Sequence, residues 1–336
     1  MPTVITQGAA SAKGYGFGAR ATAANYIEDV FSTYLYQGNS STQTITNGVD
    51  LSGKGGLVWI KARNDADDHN WYDTSRGAEY SISSNLIEGQ VSRPGSLTAF
   101  NANGFSLGSN TSDNYSARTY TSWTFRKQAK FFDVVTYTGN GANGTAYNIS
   151  HNLTVKPGFV IIKRTDSTGN WAALARVDAN NTSLLFLNTT DSGNANTWLR
   201  DRTTTTTFDV GTSSFVATNY NINGATYVAY LFAHDAGGFG ASGSDNVISC
   251  GSFTKSAGVE ATITLGYEPQ WLLFKRTDAA ENWFMIDNMR GMPVGGTDAY
   301  LIPNLTSAES NLDFVTPTAT GFIATNNFNT GTYIYI

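Results

Sequence analysis

Three stretches of the 336-residue sequence carry one order of signals, and that repetition limits the fold more than any single motif does. In each, an apolar run ends in lysine, a polar loop follows, and a tryptophan comes next. The three are Gly56-Leu-Val-Trp-Ile-Lys61 to Trp71, Gly158-Phe-Val-Ile-Ile-Lys163 to Trp171, and Gln270-Trp-Leu-Leu-Phe-Lys275 to Trp283. Copies 2 and 3 also share Lys-Arg-Thr-Asp, from Lys163 to Asp166 and from Lys275 to Asp278. Upstream, strands ending at Tyr36, Tyr137 and Cys250 precede these lysines by 25, 26 and 25 residues. Downstream come Phe105, Phe215 and Phe322, then the alternating aromatic strands Tyr120–Phe125, Tyr227–Phe232 and Tyr333–Ile336. The lysines lie 102 and 112 residues apart, well beyond the roughly 20 to 50 residues of a solenoid repeat. Three tandem units, each large enough to hold a core, are the expectation.

Within copy 2 the runs Phe132–Tyr137, Thr145–Ile149, Phe159–Ile162, Leu184–Leu187, Phe208–Val210, Phe215–Ala217 and Tyr227–Phe232 read as short strands separated by turn signals. Charged residues are only 14% and aromatics reach 13%, against about 25% charged in ordinary globular chains. The remainder, rich in Thr, Asn, Ser and Gly, suits strand faces and turns. The predicted class is all-β: three tandem β-sandwich domains, of the sandwich or jelly-roll kind. Their expected spans are 32–130, 131–238 and 239–336, behind a flexible N-terminal arm of residues 1–31. The one helix candidate is Thr22–Val30.

A net charge of −5 with no run of Lys or Arg leaves no footprint for a nucleic-acid backbone. Cys250 is the only cysteine, which excludes an intrachain disulfide and a thiolate metal cluster. Residues 1–19 lack the charged and apolar regions of a secretory signal, and no apolar run approaches a membrane span, so a soluble chain made in a cytoplasm is expected.

The candidate chemistry is sparse. Trp71, Tyr72, Trp171 and Trp283 offer flat faces on which a sugar ring would stack, and the competing reading folds the tryptophans into the core. Asp65-Ala-Asp67-Asp68-His69 gathers hard ligands for a divalent ion, but the other copies keep only Asp166 and Asp278, so a solvated acidic loop is expected and no metal is assigned. Asp73/Arg76 and Asp287/Arg290, in Asp-x-x-Arg-Gly, read as salt bridges that tie down a turn. His69, His151 and His234 occupy non-equivalent places, no glutamate recurs, and no nucleophile, phosphate-binding or zinc-protease motif is present. A non-enzymatic chain without cofactors is expected. The arm is rich in small residues, with Tyr15 and Phe17 as isolated anchors, and reads as an attachment or oligomerisation device.

Phe17-Gly-Ala-Arg20, Asp50-Leu-Ser-Gly-Lys-Gly-Gly-Leu-Val-Trp-Ile-Lys61, Ser122-Trp-Thr-Phe-Arg-Lys127, Phe131-Phe-Asp-Val-Val-Thr-Tyr-Thr-Gly-Asn-Gly141 and Val160-Ile-Ile-Lys-Arg-Thr-Asp166 resemble the repeats of virion structural proteins from tailed bacteriophages, above all marine ones. The resemblance covers nearly the whole chain. It implies residence on a particle assembled in the host cytoplasm, as a fibre, tail-associated or capsid-decorating protein, with β-sandwich modules resembling concanavalin-like jelly rolls. It also implies other virion proteins as partners through the arm, and a homo-oligomer such as a trimer. A stiff rod of tandem modules would then meet a host-surface glycan with its loops. The alternative is a carbohydrate-binding module array that uses the loop aromatics.

Overall fold

The computed structural model describes residues 25–196 and 198–336; Tyr15, Phe17 and most of the arm lie outside these. The chain is all-β and consists of three repeated groups of two stacked antiparallel sheets. The larger sheet of each group has six strands. In copy 1 these are Phe31–Gln37, Thr119–Arg126, Gly56–Ala62, Asn70–Asp73, Tyr80–Ser83 and Val91–Ser92, in that spatial order. Copies 2 and 3 repeat this order, with Phe159–Arg164 and Trp271–Arg276 in the place of Gly56–Ala62. The smaller sheet has three strands in copies 1 and 3 and two in copy 2.

Both faces of each large sheet are covered, which explains why the runs before the lysines are continuously apolar and not alternating. All seven residues of Gly56–Ala62 are buried. Val58 and Ile60 face the small sheet of copy 1, in a core with Tyr36, Ile45, Tyr72, Leu97 and Phe105. Leu57 and Trp59 point the other way, into a cluster that also holds Phe159 and Ile161 of copy 2 and Leu273 of copy 3. The three large sheets therefore turn one face each onto a common centre. Copy 1 also meets copy 3 directly: the Phe125 and Trp271 rings lie 5.4 Å apart, and Arg63 pairs with Glu309 at 2.7 Å. The rod expected from tandem modules is replaced by a closed ring of three, because the faces left apolar by each unit are buried against the other two.

Strand register corrects the sequence alignment at three points. Lys61, Lys163 and Lys275 pair across the sheet with Thr121, Val228 and Ile334 and are equivalent. Counting eight residues on from each lysine, the counterpart of Trp171 and Trp283 is His69, and Trp71 instead corresponds to Ala173 and Met285. The counterpart of Tyr36 and Tyr137 is Phe253, since the copy 3 strand begins at Gly251, after Cys250. Phe105 and Phe322 match Phe208, all three facing an isoleucine across the small sheet. Phe215 is not in a strand but in the helix Ser214–Tyr220. A glycine precedes Phe105 for steric reasons: Gly104 has φ of 129°, and a Cβ there would lie 2.0 Å from the Ile45 carbonyl oxygen. Of the helix expected over Thr22–Val30, the described part forms the 3₁₀ turn Ile27–Asp29.

Candidate functional site

The residues that recur in all three copies meet at three seams, where the loop after the fifth strand of one large sheet lies on the lysine strand of the next copy. The backbone contacts repeat in register. The Ile87 carbonyl of copy 1 accepts from Gly169 N–H of copy 2, Thr190 from Glu281 of copy 3, and Thr306 from Asp67 of copy 1. Three residues on, Gln90, Gly193 and Glu309 donate back to the carbonyls of Thr165, Thr277 and Arg63. Copy 3 thus closes on copy 1 with the bonds by which copy 1 meets copy 2. Asn85, Asn188 and Asn304 pin each loop within its own copy: their Oδ1 atoms accept from the backbone N–H of His69, Trp171 and Trp283 at 3.0, 2.9 and 2.9 Å. The sequence reading missed these asparagines. Their recurrence 24, 25 and 29 residues after the lysines was the available signal, hidden among many other asparagines.

Each seam is completed by an aromatic ring. The Trp171 indole N–H donates to the Ser83 and Leu86 carbonyls of copy 1 at 3.1 and 3.0 Å, and Trp283 donates to the Phe186 carbonyl of copy 2 at 2.9 Å. His69 takes this place in the third seam. Its Nδ1 accepts from Trp59 Nε1 at 3.0 Å, and the ring lies beside the Ile302 carbonyl of copy 3. Burial, then the nearby Lys61 and Arg290 cations, hold this imidazole well below its ordinary value, so it is neutral.

The three lysines are fully buried, and burial lowers each to about 8. Their partners are carbonyls. Lys163 Nζ donates to Ile87 of copy 1 and Gly169 at 2.7 and 2.8 Å, and Lys275 to Thr190 of copy 2 and Arg276 at 3.1 Å each. Lys61 bonds inside its own copy, to Ala62 and Asp65 at 2.7 and 3.1 Å.

Closer to the centre, Arg76–Asp73 and Arg290–Asp287 are buried ion pairs of 2.6 Å. They tie down their turns as expected, and each aspartate also reaches the neighbouring copy. Asp73 accepts from the Tyr230 hydroxyl at 2.8 Å, and Asp287 from Trp123 Nε1 at 2.9 Å. Copy 2 has Ala175 where these aspartates stand, and copy 3 has Ile336 where Trp123 and Tyr230 stand. A carboxylate is present where the facing ring carries a proton to donate, and a methyl group where the facing position is aliphatic.

Trp71, Tyr72, Trp171 and Trp283 are all fully buried, so the stacking role considered for them has no exposed face to act through. Trp71 packs on Trp171 at 5.1 Å and on Tyr230 at 4.9 Å. The Tyr72 hydroxyl donates to Asp113 at 2.5 Å inside copy 1. The carboxylates of the acidic loop are engaged with neighbouring side chains: Asp65 and Asp67 both pair with Arg118, and Asp68 accepts from Asn85 at 2.8 Å. Among the described residues no group of three His, Cys, Asp or Glu is placed to hold a metal ion, and no helix is long and apolar enough to cross a membrane.

A family model described as a domain of unknown function (DUF7483) matches residues 27–336. No curated protein matches the chain, and no solved structure does.

Proposed function

We propose, for a chain that belongs to the DUF7483 family of domains of unknown function, a non-enzymatic structural role as a component of a phage virion: fibre-like, tail-associated or decorating the capsid. The observation that carries the non-enzymatic part is where the recurring polar groups sit. The lysines, the asparagines and the Asp–Arg pairs are engaged in structural bonds: Lys163, Lys275, Asp73 and Asp287 reach neighbouring copies, while Lys61 and the asparagines hold the loops of their own copies that form the seams. A catalytic group needs access to substrate, and the three lysines and both aspartates are fully buried. The placement on a virion rests on the sequence resemblance alone. The N-terminal segment, residues 1–31, would attach the chain to other virion proteins and drive oligomerisation, with the three copies outward toward a host surface. Each group of two sheets is read further as a concanavalin-like jelly roll, supported by the pairing of the first strand with the last and the interleaving of both sheets along the chain.

The test is direct. Mass spectrometry of density-purified particles should find the chain at a fixed copy number, and its recovery only in the unsedimented fraction would reject the virion role. Val30 and Phe31, at the end of the expected arm, belong to the core and the first strand, so light scattering of the full chain and of a version lacking residues 1–24 separates the two parts of the reading. Assembly by the full chain alone supports attachment through the arm. Equal monomers from both remove it.

A further inference from the structure

The second copy holds a pocket whose polar residues the seams do not use. It has a volume of about 350 Å³ and lies where the strand Ala172–Arg176 ends, beside the loop that leads into Phe159–Arg164 and the chain that leaves Thr226–Phe232. That volume falls in the range of pockets that take small ligands, roughly 300–1,000 Å³. Val155, Pro157 and Leu199 give the wall an apolar part, and Arg176, Lys156 and His234 bring donors. The Arg176 guanidinium forms no ion pair and no hydrogen bond with any described residue. Lys156 Nζ donates to the Arg200 carbonyl at 2.9 Å and has two further protons to give. His234 Nδ1 accepts from the Cys250 N–H at 3.2 Å, so in the neutral ring Nε2 carries the proton. The carboxylates of the lining are turned to other donors. Asp178 accepts from the backbone N–H groups of Asn180 and Asn181 at 2.7 and 2.8 Å, and Asp235 accepts from the Ser249 hydroxyl.

The three copies differ at this place. Arg176, Thr74 and Asn288 are equivalent, because their N–H groups bond the carbonyls of Gly158, Gly56 and Gln270, each five residues before its lysine. Lys156 corresponds to Lys54 and Glu268 on the same count, and His234 to Lys127, six residues after the paired Val228 and Thr121. In copy 1 the Lys127 ammonium is spent on Asp133 at 3.0 Å. The donor set therefore belongs to copy 2 alone, and the symmetry of the ring does not require it.

We propose that this pocket binds an oxyanion, a carboxylate or a phosphate group, carried on a body the size of one sugar. The planar fork of Arg176 matches either group with two parallel charge-assisted hydrogen bonds. Lys156 adds a second positive charge, His234 a neutral donor, and the apolar wall takes the carbon skeleton. The site rests on the geometry of copy 2 and not on a virion role, so the two readings stand or fall separately.

Isothermal titration calorimetry of the 336-residue chain with galacturonate, glucose 6-phosphate and glucose tests it. Saturable binding of a charged sugar and none of glucose is expected, and which charged sugar binds tells carboxylate from phosphate. Arg176→Met should weaken that binding about tenfold, in line with loss of a charge-assisted pair. Ala179→Trp, which adds an indole to the pocket wall and leaves every charge in place, should weaken it as much. Lys54→Met, the copy 1 counterpart of the Lys156 position, should leave it unchanged. If Arg176→Met melts lower than the wild type, Lys156→Met, at an exposed side chain, replaces it with the same expected direction. Absence of binding at tens of millimolar overturns the site. Equal binding of glucose, or binding that survives both the charge and the Ala179→Trp variants, overturns it as well.

Discussion

The seam between copies 1 and 2 and the seam between copies 3 and 1 share every backbone bond of the pattern and differ in the ring at their middle. The first has Trp171 with an indole N–H on two carbonyls of the neighbouring copy. The other has His69, whose bond goes to Trp59 of its own copy. The volume lost at position 69 reappears beside it: copy 1 carries Trp59 and Trp71 where copy 2 has Ile161 and Ala173. The His69 seam also gains a largely buried ionic link, with Glu309 between Arg63 at 2.7 Å and Arg290 at 3.3 Å. Equivalent backbone ladders thus support two different packings, provided the total filling and the pairing of polar groups are kept.

The largest effect should come from emptying the tryptophan seam. Trp171→Ala removes a buried indole and takes its N–H from the Ser83 and Leu86 carbonyls, of which Ser83 keeps the Leu86 N–H, and should cost roughly 3–5 kcal/mol in urea unfolding. His69→Ala in the other seam should cost about 2 kcal/mol, since the ring is smaller and its bond is local. Equal losses would show that the two seams are energetically alike despite their chemistry. Next comes Arg290→Met, which leaves Asp287 buried without its cation but still holding the Trp123 N–H, with an expected loss of about 3 kcal/mol. Full stability in that variant would mean the pair is dispensable to the ring.

The comparison also separates what was legible in the sequence from what was not. The all-β class and the three copies were legible because apolar runs, turn residues and constant spacing are local properties. Closure of the ring was not, although its trace was present: Leu57 to Ile60 is apolar at every position, which a strand buried on one face does not need. The misplaced equivalence of Trp71 with Trp171 arose because residue identity was followed where register decides. A two-residue slip keeps the same sheet face, so no break in alternation revealed it. The Asp–Arg pairs were legible as salt bridges, but their reach to Tyr230 and Trp123 of other copies depends on tertiary placement that no local pattern encodes.

Exchanging the rings sharpens the point. If filling is what counts, then His69→Trp, which gives copy 1 the residue of its sisters, should not strengthen its seam. Trp59 and Trp71 already occupy the space, with centroids 4.4 Å apart and Trp59 5.7 Å from His69. The variant should lose about 2 kcal/mol through overpacking. A gain in stability would show room in the seam and undo the compensation argument.

The smallest effect concerns the lysines, and it distinguishes a property of the copy from a property of the seam. In the folded chain Lys61 and Lys163 are lowered by burial to about 8 from the ordinary lysine value of 10.5. Between those two values the unfolded chain binds more protons than the folded one, so stability rises with pH across that window, by up to about 1.4 kcal/mol per pH unit for each lysine. Above about pH 10 buried tyrosines such as Tyr137 and Tyr230, pushed well above their ordinary value by burial, act in the opposite sense. Urea unfolding between pH 7.5 and 9.5 is therefore the useful range. The wild-type chain should gain on Lys163→Met by about 1.4 kcal/mol from neutral pH to pH 9. Lys61→Met should show the same pH difference, although Lys61 bonds only within its own copy and Lys163 spans the seam, because desolvation is the largest cause of both shifts. A pH difference confined to Lys163→Met would instead tie the shift to the seam. Parallel curves for the wild type and both variants would mean that these ammonium groups titrate as exposed lysines do, and that the lysine strands are open to water.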